Sequence, residues 1–557
     1  MESKRHAAGT AAKVFLGAIL VAILALGGLA LYRFLSRPLI TSISPAIGAR
    51  GDVITLRGKR FGSARNESSV YIGEISPTAS SYIVWTNTAI QIRMPETAES
   101  GLICVKTPQG RSNSVLFSER EQIPVLSGNQ ESGGTPTISA LQANAGAIGS
   151  VLAMSGLGFG QAQSGSKVLF TAAGDPDARG ADQADAISVS AASPGIILWS
   201  DKEIRLLVPD GAASGNILVR TERGDSNQQY FTVSDGPGKK LYRNKKSYSI
   251  HYSVTLSRVR SSGDNDFFVW LPQPVESGAQ RAVKEIAVEP TPTLRDYHGA
   301  NLFHFVNLRD NGQDTQAFHD FYVSEYEIQT LPDVEQIKPL GLDSTLQAAY
   351  TQNEAGIPVH DPRIQAIAAE ITGKEKNLWR QARLIYDYIG ANFQMQPKPD
   401  SSDVSLTLAS KRGDAYAMSL LFVSVSRAAG IPCVPVSGCV VDDKRATRAH
   451  WWAEFYVNGL GWIPVDLLYG FTEAGAPSFS KTTHSDQGNK TDYYFGSLDN
   501  DRIVFSRGFQ ALNQQKPGSE LKPVKRFYSL QTVTEEIAGE VKSYTSFWSD
   551  INVLGVY

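Results

Sequence analysis

With 557 residues, 42% of them hydrophobic, the chain is long enough for about three or four domains with ordinary cores. Its 53 basic and 55 acidic residues nearly cancel and form no extended basic stretch, so no nucleic acid is expected as a partner. Three cysteines are too few for a disulfide scaffold, the eight histidines are scattered, and no glycine-rich phosphate loop follows a strand; neither a metal nor another cofactor is expected.

The stretch from Val14 to Tyr32 is uncharged and mostly apolar, roughly 28 Å as a helix, which matches a bilayer core. Lys4, Arg5 and Lys13 precede it, and Arg33 and Arg37 follow. The slight positive bias predicts a cytoplasmic tail at 1–13, a transmembrane signal anchor at 14–35 and an extracytoplasmic remainder, periplasmic or on the cell surface. A cleaved signal peptide is the alternative, although Ala25-Leu26-Gly27 is a weak cleavage site.

An internal repeat follows. Pro38, Gly58, Phe61 and Gly62 recur 98 positions later at Pro136, Gly156, Phe159 and Gly160. Trp85, Pro95, Gly101, Thr107, Gly110, Asn113 and Phe117 recur 114 positions later, at Trp199, Pro209, Gly215, Thr221, Gly224, Asn227 and Phe231, so one insertion falls between 171 and 192. Short alternating strands with turn signals predict an all-β sandwich for each copy, 38–118 and 136–234. The opening Ile40-Thr41-Ser42-Ile43-Ser44-Pro45, the Gly-x-x-Phe-Gly turn and the ending Gly110-Arg111-Ser112-Asn113 resemble immunoglobulin-like IPT/TIG domains. That resemblance implies spacers or binding modules; Trp85 and Trp199 read as sandwich-core residues rather than carbohydrate platforms. The glycine- and serine-rich linker at 119–135 predicts a variable orientation between the copies.

Beyond the second copy, Lys239-Lys240-Leu241-Tyr242-Arg243-Asn244-Lys245-Lys246 reads as a solvated hinge. Tyr248, Ile250, Tyr252, Val254 and Leu256 alternate with polar residues, predicting a half-buried strand in a β-rich leader at 239–335. In the segment 336–510, Asp361-Pro362 starts one helix and Leu378, Ala382, Ile385, Ile389 and Phe393 stripe a second. A third is predicted from Asp414, with Met418, Leu421, Phe422 and Val425 at helical spacing and Gly430 to end it. Residues 511–557 read as a C-terminal extension.

Four segments carry chemistry. They are Gly413-Asp414-Ala415, Arg427-Ala428-Ala429-Gly430-Ile431-Pro432, His450-Trp451-Trp452-Ala453-Glu454 and Gly461-Trp462-Ile463-Pro464-Val465-Asp466. In type and spacing they resemble the transglutaminase-like superfamily, whose fold is papain-like α+β and whose pattern carries Gly-x-Cys in the first segment. Phe268-Val269-Trp270-Leu271-Pro272-Gln273-Pro274 and the segment from Tyr494 to Ile503 are similar to flanking parts of the same family. The resemblance implies a catalytic histidine at His450, an orienting aspartate at Asp466, a substrate groove at Trp452 and Asp414, and the nucleophile position at Ala415. A thiolate at a helix N-terminus beside an imidazole attacks an amide carbonyl; a methyl group does not. Cys104 lies far upstream. Cys433 and Cys439, roughly 20 Å apart on one extended strand, read as buried thiols that cannot bridge, and Ser419 lies one helical turn too deep.

These readings describe a membrane-anchored pseudoenzyme that binds a peptide, cell-wall or protein partner. Two alternatives stand beside it: a cysteine-type amidase, peptidase or transamidase whose nucleophile is replaced in this chain, and a surface adhesin or envelope spacer acting through the IPT/TIG domains.

Overall fold

A computed structural model describes residues 36–557, apart from 45–46, 49–52, 73–75, 78–80, 95–100, 120–134, 162–165, 175–185, 191–194, 340–344, 397–402, 473–488 and 523–526. The segments expected to form a cytoplasmic tail (1–13) and an anchor (14–35) lie outside the described residues, as does most of the linker at 119–135. Among the described residues no helix is long and apolar enough to cross a membrane. The chain divides into two compact units, 1–131 and 132–557.

In the first unit, Leu39–Ser44, Val53–Lys59, Ala89–Arg93 and Tyr82–Trp85 form one sheet. Ile47–Gly48, Val115–Glu119, Gly101–Thr107 and Ser69–Ile72 form the other. Alternation along each strand sends Ile54, Leu56, Ile90, Ile92, Ile103 and Val105 inward, each fully buried. The second copy repeats both sheets and adds the strand Ala186–Ser190 against Lys167–Ala172, within the insertion.

The repeated residues are those that close the sandwich. A Cβ on Gly58 would collide with the Leu39 carbonyl oxygen and the Phe61 ring, and one on Gly156 with the Thr137 carbonyl oxygen and the Phe159 ring. The Trp85 indole N–H donates to the Phe61 carbonyl (3.0 Å), and that of Trp199 to the Phe159 carbonyl (3.3 Å). Asn113 clasps both backbone groups of Ile40 at 2.8 and 2.9 Å, and Asn227 does the same for Ile138 at 2.7 and 3.0 Å. Each side chain satisfies backbone groups that would otherwise be stranded at a sheet edge.

The spine of the second unit is one long strand, Gly238–Pro272. Thr315–Pro332 pairs along its first half, Glu535–Trp548 and Asn552–Val556 line its opposite edge, and Ala300–Val306 pairs with its far end. The C-terminal segment therefore completes the leader's sheet. Tyr248, Ile250, Tyr252, Val254 and Leu256 all point to one buried face, which packs on Cys439, Val441, Ile503 and Phe505 of the core.

The run from Lys239 to Lys246, expected to be a solvated hinge, is part of this strand. Its Lys240 ammonium sits 2.6 Å from the Asp210 carboxylate of the second immunoglobulin-like domain, with 6% and 13% of the two side chains exposed. Asp210 also accepts from the Tyr242 hydroxyl (3.0 Å) and the Trp462 backbone N–H (3.2 Å), and Lys240 donates to the Trp462 carbonyl. The run is charged because one of its lysines is a buried counter-ion, which composition alone does not reveal.

In the core, the strands Gly461–Val465, Thr447–Val457, Cys433–Val441 and Arg502–Arg507 form a four-stranded antiparallel sheet in that order. Asp361 caps Pro362–Thr372 and Asn377 caps Leu378–Asn392, each through its side chain to a backbone N–H in the first turn. The helix Ala415–Ala428 is buried nearly all round, and Gly430, at φ +82°, turns the chain after it.

Removing one partner of a buried pair strands the other charge. Asp210→Ala is expected to destabilise the full chain by about 3 kcal/mol in urea unfolding, several times the effect of an exposed ion pair. The double variant Asp210→Ala with Lys240→Met should recover a large part of that loss.

Candidate active site

Asp414, Ala415, His450 and Asp466 come from three elements that the core sheet brings together. Asp414 is the N-cap of the Ala415–Ala428 helix; its carboxylate accepts the Ala417 N–H at 2.9 Å. Ala415 is thus the first helical residue, at the positive end of the helix dipole, where a thiol would ionise easily. The Tyr416 ring meets the Trp451 ring edge to face at 5.7 Å, which sets the first turn against the strand carrying His450.

Antiparallel register pairs Ala453 with Val465, so Asp466 follows beside Trp452, and His450 shares a strand face with Trp452 two residues away. The His450 Nε2 and the Asp466 Oδ2 are 2.7 Å apart. Since a carboxylate only accepts, Nε2 carries a proton toward Asp466 and Nδ1 is the nitrogen turned away from it. Asp466 also caps the helix Leu467–Phe471, its Oδ1 accepting the Tyr469 N–H at 3.0 Å. The imidazole lies flat on the Tyr469 ring, 4.4 Å between centroids and 12° from parallel.

Arg502 was not among the expected site residues, although it lies in the flanking segment that resembles the family. Its guanidinium donates to Asp466 at 2.8 Å and grips Asp499 with two bonds, at 3.1 and 2.8 Å. It lies over the Trp452 ring at 5.0 Å and the Tyr469 ring at 5.3 Å. Burial alone would raise the Asp466 carboxyl; the charges of His450 and Arg502, with hydrogen bonds from His450 and the Tyr469 N–H, outweigh it and hold the group at about 2. Burial would lower the Arg502 guanidinium, and the two carboxylates reverse that. A signal was present in the Asp499-x-x-Arg502 spacing, but nothing in the sequence shows that this arginine reaches Asp466.

Two expectations need correction. Trp452, assigned to a substrate groove, is 1% exposed beneath the guanidinium of Arg502, and Asp414 is 2% exposed and serves its own helix. Packing under a buried cation suits an indole face, and a cap must sit on its helix, so neither lines an open groove. Ala415 and His450 are themselves 6% and 3% exposed. The indole N–H groups of Trp451 and Trp452 are buried without a hydrogen-bond partner.

The thiols lie elsewhere. Cys433 and Cys439 are buried on one strand, where desolvation pushes both up to about 12. Cys104, in the first immunoglobulin-like domain, receives a hydrogen bond from Arg111 at 2.9 Å. Ser419 is buried within the helix.

Comparison with known proteins agrees with this architecture. Residues 365–467 match the family model of the transglutaminase-like superfamily and residues 38–118 that of the IPT/TIG domain. The chain therefore contains a transglutaminase-like core and an IPT/TIG domain. The cyclomaltodextrin glucanotransferases of Bacillus licheniformis and Paenibacillus macerans are 32% identical over 112 residues and 30% over 118, each alignment covering 20% of this chain. The chain spans only 15% and 16% of those two enzymes. Among solved structures, a candidate cysteine protease from Cytophaga hutchinsonii aligns over 57% of this chain and 92% of its own, at 13% identity and a TM-score of 0.36. A TGase aligns over 38% of this chain and 53% of its own, at 10% identity and a TM-score of 0.19.

The depressed Asp466 carboxyl has a definite pH signature. A folded value of about 2 against the ordinary 3.8 contributes stability that is present above 3.8 and lost as pH falls through about 2. The stability difference between the chain and Asp466→Asn, measured by urea unfolding, should shrink by about 2 kcal/mol across that window.

Proposed function

We propose that this chain is a non-catalytic transglutaminase-like protein whose core binds a peptide, cell-wall or protein partner in the region of Ala415 and His450. The observation that carries the reading is the pairing of a methyl group at the start of the helix with a complete base and orienter. His450 and Asp466 stand 2.7 Å apart, and the side chain at 415 has no lone pair with which to attack a carbonyl. The three thiols offer no substitute: two are desolvated on an internal strand and the third belongs to the first immunoglobulin-like domain.

A second reading, an amidase, peptidase or transamidase with its nucleophile replaced, draws support from the same 2.7 Å pair, because the base remains in the tautomer that such chemistry uses. An adhesin or spacer draws less, since Asp210 ties the second immunoglobulin-like domain to the core. The apolar stretch at 14–32 and the scarcity of cysteine favour a membrane-anchored ectodomain.

The test compares the full chain with Ala415→Cys on a panel of peptides and cell-wall fragments, following amide hydrolysis, amine incorporation and covalent mass at position 415. The chain as it stands is expected to bind without turnover; measurable turnover would overturn the reading. An acyl adduct and turnover confined to Ala415→Cys would identify the class of molecule that reaches position 415. Binding lost about tenfold in His450→Ala, measured where the variant is still folded, would place the partner there; unaffected binding would remove this region from the account.

A further inference from the structure

A partly enclosed cavity of about 280 Å³ lies between the second immunoglobulin-like domain and the core, away from His450. Ile187, Val189 and Val208 line it from the first side, and Tyr350, Tyr456 and Trp462 from the other. The three aromatic rings stand edge to face: Tyr350 on Trp462 at 5.0 Å and 83°, Tyr456 on Trp462 at 5.2 Å and 71°. At Gly149, φ +83°, any Cβ would collide with the Tyr456 hydroxyl, so the immunoglobulin-like domain touches this wall directly.

The charged groups on the wall all have partners, and two of the three are in ion pairs. Asp210 is paired with Lys240 at 2.6 Å, Arg507 donates to Glu454 at 3.0 Å, and Glu276 accepts from the Ser188 hydroxyl. An anionic ligand would give up its hydration and find no unpaired cation in return, since Arg507 is held by Glu454. Among the described residues Glu276, exposed and bonded to a neutral hydroxyl, is the one charge on the wall without an ionic partner. The uncommitted groups are neutral. Among the described residues, the Gln510 carboxamide and the hydroxyls of Tyr350 and Tyr456 form no hydrogen bond, and Gln510, Tyr350 and Tyr456 all line the cavity.

Aromatic walls with neutral donors and acceptors match a ring that has apolar C–H faces and a rim of hydroxyls. The volume, about 280 Å³, falls just below the about 300–1,000 Å³ of small-molecule sites, which leaves room for one such ring and no more. We propose that this cavity binds a single uncharged sugar ring, free or at the end of a longer saccharide. Its walls come from two domains, so occupancy tightens the docking of the immunoglobulin-like domain and raises the unfolding temperature.

Calorimetric titration and thermal unfolding of the full chain with glucose, N-acetylglucosamine, cellobiose and maltose test this, with lysine and glutamate as charged controls. The expected result is saturable binding of at least one neutral sugar and a rise in Tm. Gln510→Ala and Tyr350→Phe should each weaken it about tenfold while leaving the unliganded Tm unchanged. Binding of the charged controls alone, binding that both variants leave intact, or no binding of any sugar at millimolar concentration would each overturn the proposal. Gln510→Asn, which shortens the carboxamide but keeps its chemistry, separates a lost hydrogen bond from a misfolded wall: it should bind between the wild type and Gln510→Ala, and binding no better than Gln510→Ala would count against the carboxamide contact.

Discussion

The buried guanidinium of Arg502 holds the core together, because neither it nor the carboxylates of Asp466 and Asp499 could be buried alone. Each ion in isolation would cost several kcal/mol to desolvate, and only together do they compensate one another. The geometry gives this cluster its reach. Arg502 begins one edge strand of the four-stranded sheet, and Asp466 directly follows the opposite edge strand, so the ion pair at 2.8 Å spans the two inner strands. Trp452, on an inner strand, fills the space beneath the guanidinium at 5.0 Å. His450 then finds its carboxylate already in place, so the histidine pair rests on packing that needs no nucleophile.

That independence explains how alanine is accommodated at position 415. Alanine loses no side-chain entropy in a helix and suits the first turn after an Asp414 cap. The clamp from Arg502 to Asp466 and the stacking of Tyr469 on His450 make no bond to residue 415. A core of this kind keeps its base and orienter assembled whichever small residue occupies that position, which is why the chemistry and the fold can be separated at a single site.

Much of this was legible in the sequence where a residue's role is local or repeated. Gly58 and Gly156, Trp85 and Trp199, and Asn113 and Asn227 each serve a contact that recurs in both copies, so their spacing exposed the sandwich before any coordinates. His450 and Asp466 were legible through the resemblance of their motifs to the transglutaminase-like pattern, and antiparallel register is what brings the two motifs together in space. Trp452 was misplaced because a tryptophan beside a histidine reads equally as a groove wall or as packing, and only the arginine above it decides. Lys240 was misread for a related reason: a lysine-rich run looks solvated until its counter-ion, thirty residues upstream in another domain, is seen. The C-terminal strands gave no sign of joining the leader, because their partner lies almost three hundred residues earlier and pairing over that distance leaves no local pattern.

The misread lysine and the overlooked arginine belong to one mechanical arrangement. The short strand Gly461–Val465 is held at both ends by buried charge. At its start, Asp210 accepts the Trp462 N–H while Lys240 holds the Trp462 carbonyl; just beyond its end, Arg502 and His450 grip Asp466. Between these two anchors lie three residues, and four steps of extended backbone span about 13 Å, with Ile463 and Val465 fully buried. A strand pinned in this way has little freedom to shift its register, so the position of Asp466 depends on the second immunoglobulin-like domain as well as on the core. The domain that looked like a spacer is therefore part of the framework that orients His450.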